Sequence, residues 1–130
     1  MIIFKTTEMK AQFYSKEMCP YVFWKVHHLA RIAEETYGVD FFITSVWRKD
    51  SIPHFEYRAV DIRVRDPYTG KRVISEGTVQ KLKAYHDKNL RKHGGYDSFF
   101  EHETLDAHGN PRGPHIHTQR PRGLLKFKEA

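Results

Sequence analysis

Cysteine is almost absent from this 130-residue chain, which contains one, Cys19. A single thiol excludes an internal disulfide and a zinc site built from several cysteines. Long apolar runs are missing as well. The start MIIFKTTEMK lacks the apolar stretch of a signal peptide, and no segment approaches the length of a membrane span. We therefore expect synthesis in a cytoplasm and no membrane span.

Acidic residues are outnumbered by basic ones. The 22 Lys and Arg against 16 Asp and Glu give a net charge of +6 at pH 7, which favours anionic partners in general. The basic residues are scattered and no nucleic-acid-binding signature accompanies them, so no nucleic-acid partner is expected. Histidine, by contrast, is abundant. The chain has nine, and histidine is the most frequent metal ligand in proteins.

The size and composition indicate one globular domain. A chain of 130 residues is long enough for one hydrophobic core, and 39% hydrophobic with 29% charged residues are globular values. No repeat, low-complexity block or linker divides the sequence. We therefore predict a single domain over residues 1–130.

Two amphipathic helices are predicted from their start and stop signals. Pro20 can open the first, whose apolar residues recur at helical spacing until Gly38 closes it. Ser75 is a capping residue for the second, EGTVQKLKAYHDKNLRKH, which is expected to end at Gly94–Gly95. His86, on this second helix, is expected to be solvated.

Four segments are rich in strand-forming residues: VDFFITSVW, RAVDIRV, YDSFFEHETL and PHIHTQ. The last two are joined by DAHGNPRG, a hairpin-like connection. Together with the helices they predict an α+β fold, in which a small, mostly antiparallel sheet has flanking helices.

The segment RAVDIRV places an aspartate between apolar residues. Successive side chains of a strand point to opposite faces, so the apolar set faces the core: Val60, Ile62 and Val64. Asp61 must then lie on the other face of the sheet. The question is what that second face does.

The segment PHIHTQ supplies the same face with imidazoles. His115 and His117 flank Ile116, so both rings share one side while the isoleucine enters the core. With Asp61, two neighbouring strands offer two imidazoles and a carboxylate, and His54 is a further candidate nearby in sequence. Zinc takes such nitrogen and oxygen ligands, and catalytic zinc sites leave one position for water. The sequence therefore predicts a metal site.

Three blocks of sequence carry a resemblance to a known family. ITSVWR, HFEYRAVDI and HIH, in this order within residues 39–119, resemble the signature of a group of zinc peptidases. That group includes the D-alanyl-D-alanine carboxypeptidases, the L-alanyl-D-glutamate endopeptidases of phages and the zinc domain of hedgehog proteins. The resemblance implies the fold of that group and one zinc ion per chain.

The resemblance also implies a role for individual residues. By position in the family's motifs, His54, Asp61 and His117 would bind the zinc ion. His115, two residues before the last ligand, would be a non-ligand that steadies the oxyanion or the water. Arg48, after the TS strand, would meet a carboxylate of the substrate.

This chain departs from the family's pattern at two places. The family usually has a glycine three residues after the first ligand, where Tyr57 stands here. Its general base is a glutamate shortly before the final histidine, whereas no acid lies between His108 and His117. If the hairpin pairs Glu101 with His117, both Glu101 and Glu103 reach the metal face. The letters FFE resemble the aromatic pair before the hedgehog glutamate, which favours Glu101 as the base.

The activity implied by the resemblance is that of a zinc peptidase, a carboxypeptidase or an endopeptidase, acting on stem peptides of bacterial peptidoglycan. A phage origin fits a small wall peptidase that is released at lysis or carried in a virion. Two alternatives stay open. A catalytically silent module could bind zinc and a wall peptide or protein partner, and it is favoured if neither Glu101 nor Glu103 lies near the metal. The other alternative is a basic, metal-dependent nuclease.

Overall fold

Four helices and five strands make up the part of the chain that the structure describes. The computed structural model describes residues 1–49, 51–66, 68–91, 97–103, 108–109 and 114–120. In chain order the elements are β1 (Ile2–Phe4), α1 (Thr7–Phe13), α2 (Pro20–Tyr37), β2 (Phe41–Ser45), α3 (Ile52–Phe55), β3 (Ala59–Arg63), α4 (Glu76–Asn89), β4 (Ser98–His102) and β5 (His115–Gln119). The predicted α+β class is confirmed.

All five strands form one mixed sheet in the order β1-β2-β3-β5-β4. Strands β1 and β2 are parallel, and the other three neighbouring pairs are antiparallel. In the central pair, Asp61 of β3 lies opposite His117 of β5, and Ile62 lies opposite Ile116. Directly opposite residues share a face, so this register separates a polar face of the sheet from an apolar one.

Helix α2 packs on the apolar face and has the predicted bounds. Pro20 is its first residue, and Gly38 follows its end with φ 66°, in the left-handed region that glycine adopts without strain. The apolar sets of α2 and β3 are fully buried together: Val22, Val26, Leu29, Val60, Ile62 and Val64. The predicted core face of β3 is thereby confirmed. No helix among the described residues has the length and apolar character needed to cross a bilayer.

Helix α4 begins where the sequence predicts and carries an unexpected buried histidine. The Ser75 side chain accepts a hydrogen bond from the Thr78 backbone N–H, which confirms the predicted cap. The helix ends at Asn89, before Gly94–Gly95, which lie outside the described residues. The prediction that His86 is solvated is wrong, because its side chain is fully buried.

The partner of His86 is a buried lysine on α2. Lys25 Nζ lies 3.1 Å from His86 Nε2, donates to Asp97 Oδ1 at 2.8 Å and donates to the Gln119 carbonyl oxygen at 3.0 Å. Burial lowers the pKa of Lys25, and the negative charge of Asp97 opposes that shift. The ammonium group thus ties α2 to α4 and to the start of β4 and the end of β5. A buried ion pair of this kind is costly to break, because the remaining charge is left without compensation.

We expect Lys25→Met to lower the free energy of unfolding by about 3–5 kcal/mol, since the Asp97 carboxylate would stay buried without its partner. Urea denaturation followed by circular dichroism measures the change. Lys88→Met, at an exposed position of α4, is the matched control and should change stability by about 0.5 kcal/mol or less. Equal stability of the two variants would contradict a structural role for the Lys25–Asp97 pair.

Candidate metal centre

Three polar side chains meet on the sheet face opposite the core. His54, Asp61 and His117 are all buried, and one potential ligand atom of each lies within 4.8 Å of the others. His54 Nε2 is 3.2 Å and His117 Nδ1 is 2.9 Å from the same oxygen, Asp61 Oδ1. Donors around a tetrahedral zinc ion at about 2.1 Å are roughly 3.4 Å apart. The donor types and their spacing therefore fit a zinc ion.

His54 reaches the cluster from a short helix that precedes β3. Residues Ile52–Phe55 form α3, and Pro53 in its first turn favours a helix start. His54 Nδ1 donates to the Val46 carbonyl oxygen at 2.8 Å, which turns Nε2 toward Asp61. That Nε2 is buried and makes no hydrogen bond of good geometry. Metal-ligating histidines are commonly held in this way through the ring nitrogen that does not bind the ion.

His117 is oriented in the same manner by a residue that the sequence analysis did not single out. Its Nε2 lies 2.7 Å from Gln119 Oε1, while its Nδ1 faces Asp61. Both neighbours of the ring are acceptor oxygens, so a metal ion bound at Nδ1 would take the place of a proton there, while Nε2 would keep its proton on Gln119 Oε1. The signal for Gln119 was present in the alternation of PHIHTQ, which places it on the face of His117.

Asp61 lies at the centre of this cluster and is ionised. Burial alone raises the pKa of its carboxyl, but the close approach of His117 and His54 outweighs burial and holds the pKa well below its usual range. Its second oxygen, Oδ2, accepts from an Arg48 guanidinium nitrogen at 3.1 Å and lies 3.7 Å from His115 Nε2. Arg48 and His115, both predicted for this site, are thus brought together with the three candidate ligands.

Glu101, predicted as the general base, lies on the opposite side of the sheet from the cluster. The predicted hairpin register is wrong by one residue, because Glu101 lies opposite Ile116 and not His117. Its side chain is therefore on the core side of the sheet, where both carboxylate oxygens pair with Arg72 at 2.5 and 3.1 Å. Glu103, the other candidate, follows the end of β4 and is exposed to solvent.

The actual register brings a different residue to the polar face. His102 of β4 lies opposite His115, with ring centroids 4.7 Å apart, and its ring is 5.5 Å from that of His117. Its Nε2 is buried and has no hydrogen-bond partner among the described residues. Burial lowers the pKa of His102, and the nearby His115 and His117 lower it further. The sequence alone does not assign His102 to this face, because its face depends on the register of β4 with β5.

A pocket of about 540 Å³ opens beside the cluster on the same face. Its described lining includes Asp61, Arg48 and His115, so the carboxylate at the centre of the cluster is reached from this side. The volume is within the range of small-molecule and peptide sites. The geometry therefore combines a candidate metal centre with space for a substrate or ligand.

The loop between His54 and Asp61 contains a residue with an unusual backbone conformation. Tyr57 has φ 58°, the left-handed region that glycine favours and a tyrosine rarely adopts. Its carbonyl oxygen accepts from the Cys19 backbone N–H at 2.9 Å. The position where the zinc peptidase group has a glycine thus adopts a glycine-like conformation here.

No family model, curated protein or solved structure matches this chain. The metal centre therefore stands on the types, spacing and burial of its donor atoms. The resemblance to the zinc peptidase group stays a prediction.

We expect Gln119→Leu to weaken zinc binding by about 10- to 100-fold, because His117 would lose the acceptor that fixes its orientation and tautomer. Competition titration against a zinc-binding dye gives the affinity. Gln80→Leu, on α4, is the matched control and should bind zinc as the unaltered chain does. Equal affinities would show that Gln119 does not orient His117.

Proposed function

We propose that this chain is a zinc-dependent peptidase that acts on the stem peptides of bacterial peptidoglycan, with the fold of the peptidase group that it resembles. The observation that carries the proposal is the convergence of His54 Nε2, Asp61 Oδ1 and His117 Nδ1 beside an open pocket. Two imidazoles and one carboxylate are a donor set of catalytic zinc sites. A phage origin, with action after lysis or from a virion, goes with this proposal.

The three residues His54, Asp61 and His117 would hold the ion. A zinc ion there would supply Lewis acidity and would lower the pKa of a bound water toward about 7. The depressed pKa of the Asp61 carboxyl keeps it charged over the whole working range of pH. Its anionic form balances part of the ion's charge, so that the centre keeps a positive charge of about one.

Two of the three other predicted residues, Arg48 and His115, line the pocket. The Arg48 side chain is about a quarter exposed and donates one N–H to Asp61, and its charged guanidinium would attract a carboxylate of the substrate. His115 Nε2, at 3.7 Å from Asp61 Oδ2, can donate a hydrogen bond to the oxygen of a peptide carbonyl bound beside the cluster. These two side chains would bind and orient the peptide.

The position of Glu101 favours a second candidate function. Its carboxylate is engaged by Arg72 on the core side of the sheet, so it does not supply the general base of the family's mechanism. A chain that binds zinc and a wall peptide or protein partner without cleaving it agrees with this placement. An enzyme would need another group, such as an imidazole on the polar face, to accept the proton.

Zinc should bind one per chain and stabilise the fold. We expect elemental analysis to show near-stoichiometric zinc, which is lost in His54→Ala and kept in His108→Ala, a change at an exposed histidine.

Free zinc at 100 times its dissociation constant adds about 2.7 kcal/mol to the free energy of unfolding, so a chelator should lower the melting temperature. His117→Ala should melt at the same temperature with and without chelator. A chelator effect that survives in His117→Ala would place the metal elsewhere.

Peptide cleavage is measured as the release of new amino groups from purified peptidoglycan by the zinc-loaded chain, with mass spectrometry to locate the cut. We expect Glu101→Gln to keep near-full activity, because this carboxylate lies on the other side of the sheet. His115→Ala should lose about 10²- to 10³-fold in kcat, as expected for removal of a donor to a developing oxyanion.

Two results would contradict the peptidase proposal. If the zinc-loaded chain binds wall peptides and releases nothing from several wall types, the silent module takes its place. If it nicks plasmid DNA with magnesium and leaves peptidoglycan intact, the nuclease alternative does.

A further inference from the structure

We propose that the end of the pocket remote from His54 is an anion subsite, formed by Arg63 and Arg65, that selects ligands with a carboxylate or phosphate group at a set distance from the metal centre. The peptide nature of that ligand rests on the proposed function. The subsite itself rests on the geometry and charge of the pocket.

Strand periodicity places the subsite. Asp61, Arg63 and Arg65 are alternate residues along β3 and its continuation, so their side chains share the polar face, and all three line the pocket. Arg63 lies opposite His115 in the register with β5. Two residues of strand span roughly 7 Å, which sets the separation of Arg63 from Asp61 along the strand. An anionic group bound there would sit about two extended residues away from the metal centre.

The charges of the pocket lining are not balanced. Among the described residues that line it, four are fully cationic: Lys5, Arg48, Arg63 and Arg65. The two carboxylates already have partners. Asp61 is engaged by the histidines and Arg48, and Asp66 accepts from the backbone N–H groups of Tyr68 and Thr69. Asp66 is also near enough to Arg63 for that positive charge to lower the pKa of its carboxyl. Four cations against two carboxylates still leave the described lining with an excess of positive charge. A concave site with an excess of one charge concentrates ligands of the opposite charge.

The Arg63 side chain is oriented by an aromatic ring in a way that suits binding of a carboxylate or phosphate. Its guanidinium carbon lies 4.2 Å from the centroid of the Phe42 ring, so the ring supports one face of the group. A stacked guanidinium keeps the N–H groups at its edge, which can bind two oxygens of a carboxylate or phosphate at once. Arg65 is held at the pocket by a hydrogen bond to the Gly70 carbonyl oxygen at 3.3 Å. A lysine could neither stack nor bind in this bidentate manner.

Four synthetic tetrapeptides with blocked amino ends test the subsite by isothermal titration calorimetry, with the zinc-loaded and the zinc-free chain. Three have amidated carboxyl ends and carry glutamate, phosphoserine or glutamine at the third position. The fourth carries glutamine and a free terminal carboxylate. We expect the glutamate or the phosphoserine peptide to bind at least about 10-fold more tightly than the amidated glutamine peptide, as charge-assisted bidentate hydrogen bonds allow. A preference for the fourth peptide alone would assign the subsite to a chain-terminal carboxylate.

Arg63→Met should abolish this preference and leave the affinity for the amidated glutamine peptide unchanged. Arg63→Lys should keep part of it, and Arg65→Met serves as a second variant if Arg63→Met fails to fold. Arg31→Met, at an exposed position of α2, is the matched control and should keep the full preference.

Three results would overturn the subsite: equal binding of all four peptides, no binding of any peptide, or a preference that survives in both Arg63→Met and Arg65→Met. A preference for the charged peptides without zinc binding or cleavage would overturn the proposed function and leave the anion subsite standing. Cleavage without that preference would overturn the anion subsite and leave the proposed function standing.

Discussion

The pairing of Asp61 with His117 across β3 and β5 is the constraint on which the rest of the site depends. Opposite residues of an antiparallel pair are about 4.5–5.5 Å apart and share a face, so a carboxylate and an imidazole meet without help from a long loop. The same pairing sends Ile62 and Ile116 into the core. A slip of one residue would bury the histidine among apolar side chains and expose the isoleucine. Core packing and the polar cluster therefore specify one and the same register.

Gln119 connects the two sides of the sheet. Its backbone carbonyl oxygen accepts from Lys25 within the buried ionic cluster, and its side-chain oxygen lies against His117 Nε2 on the polar face. The buried ammonium thus fixes the end of β5 at the residue that orients a candidate ligand. Because both contacts are made by one residue, the angle of the His117 ring is determined by packing deep in the protein. Candidate ligands supported in this way need little reorganisation when an ion binds.

Much of this arrangement could be predicted from local patterns, and the failures share one physical origin. Strand alternation was sufficient to place Asp61 and the two histidines of HIH on one face, and end signals located both long helices. Glu101 was misplaced because the length of the DAHGNPRG connection does not determine a register, and an error of one residue changes the face. The burial of His86 depends on Lys25, which is 61 residues away in the chain. Only the folded structure brings such partners together.

The residue at position 57 shows that a motif position can be defined by its backbone conformation and not by its amino acid type. In the zinc peptidase group of the predicted resemblance this position is usually a glycine, and here a residue with a large side chain adopts φ 58°. The cost of that conformation, on the order of 1 kcal/mol, is offset by partial burial of the ring against the core and by the hydrogen bond to Cys19. Glycine would relieve the torsional cost and give up the ring contacts. A tyrosine and a glycine can therefore hold a turn of this kind with opposite balances of torsion and packing.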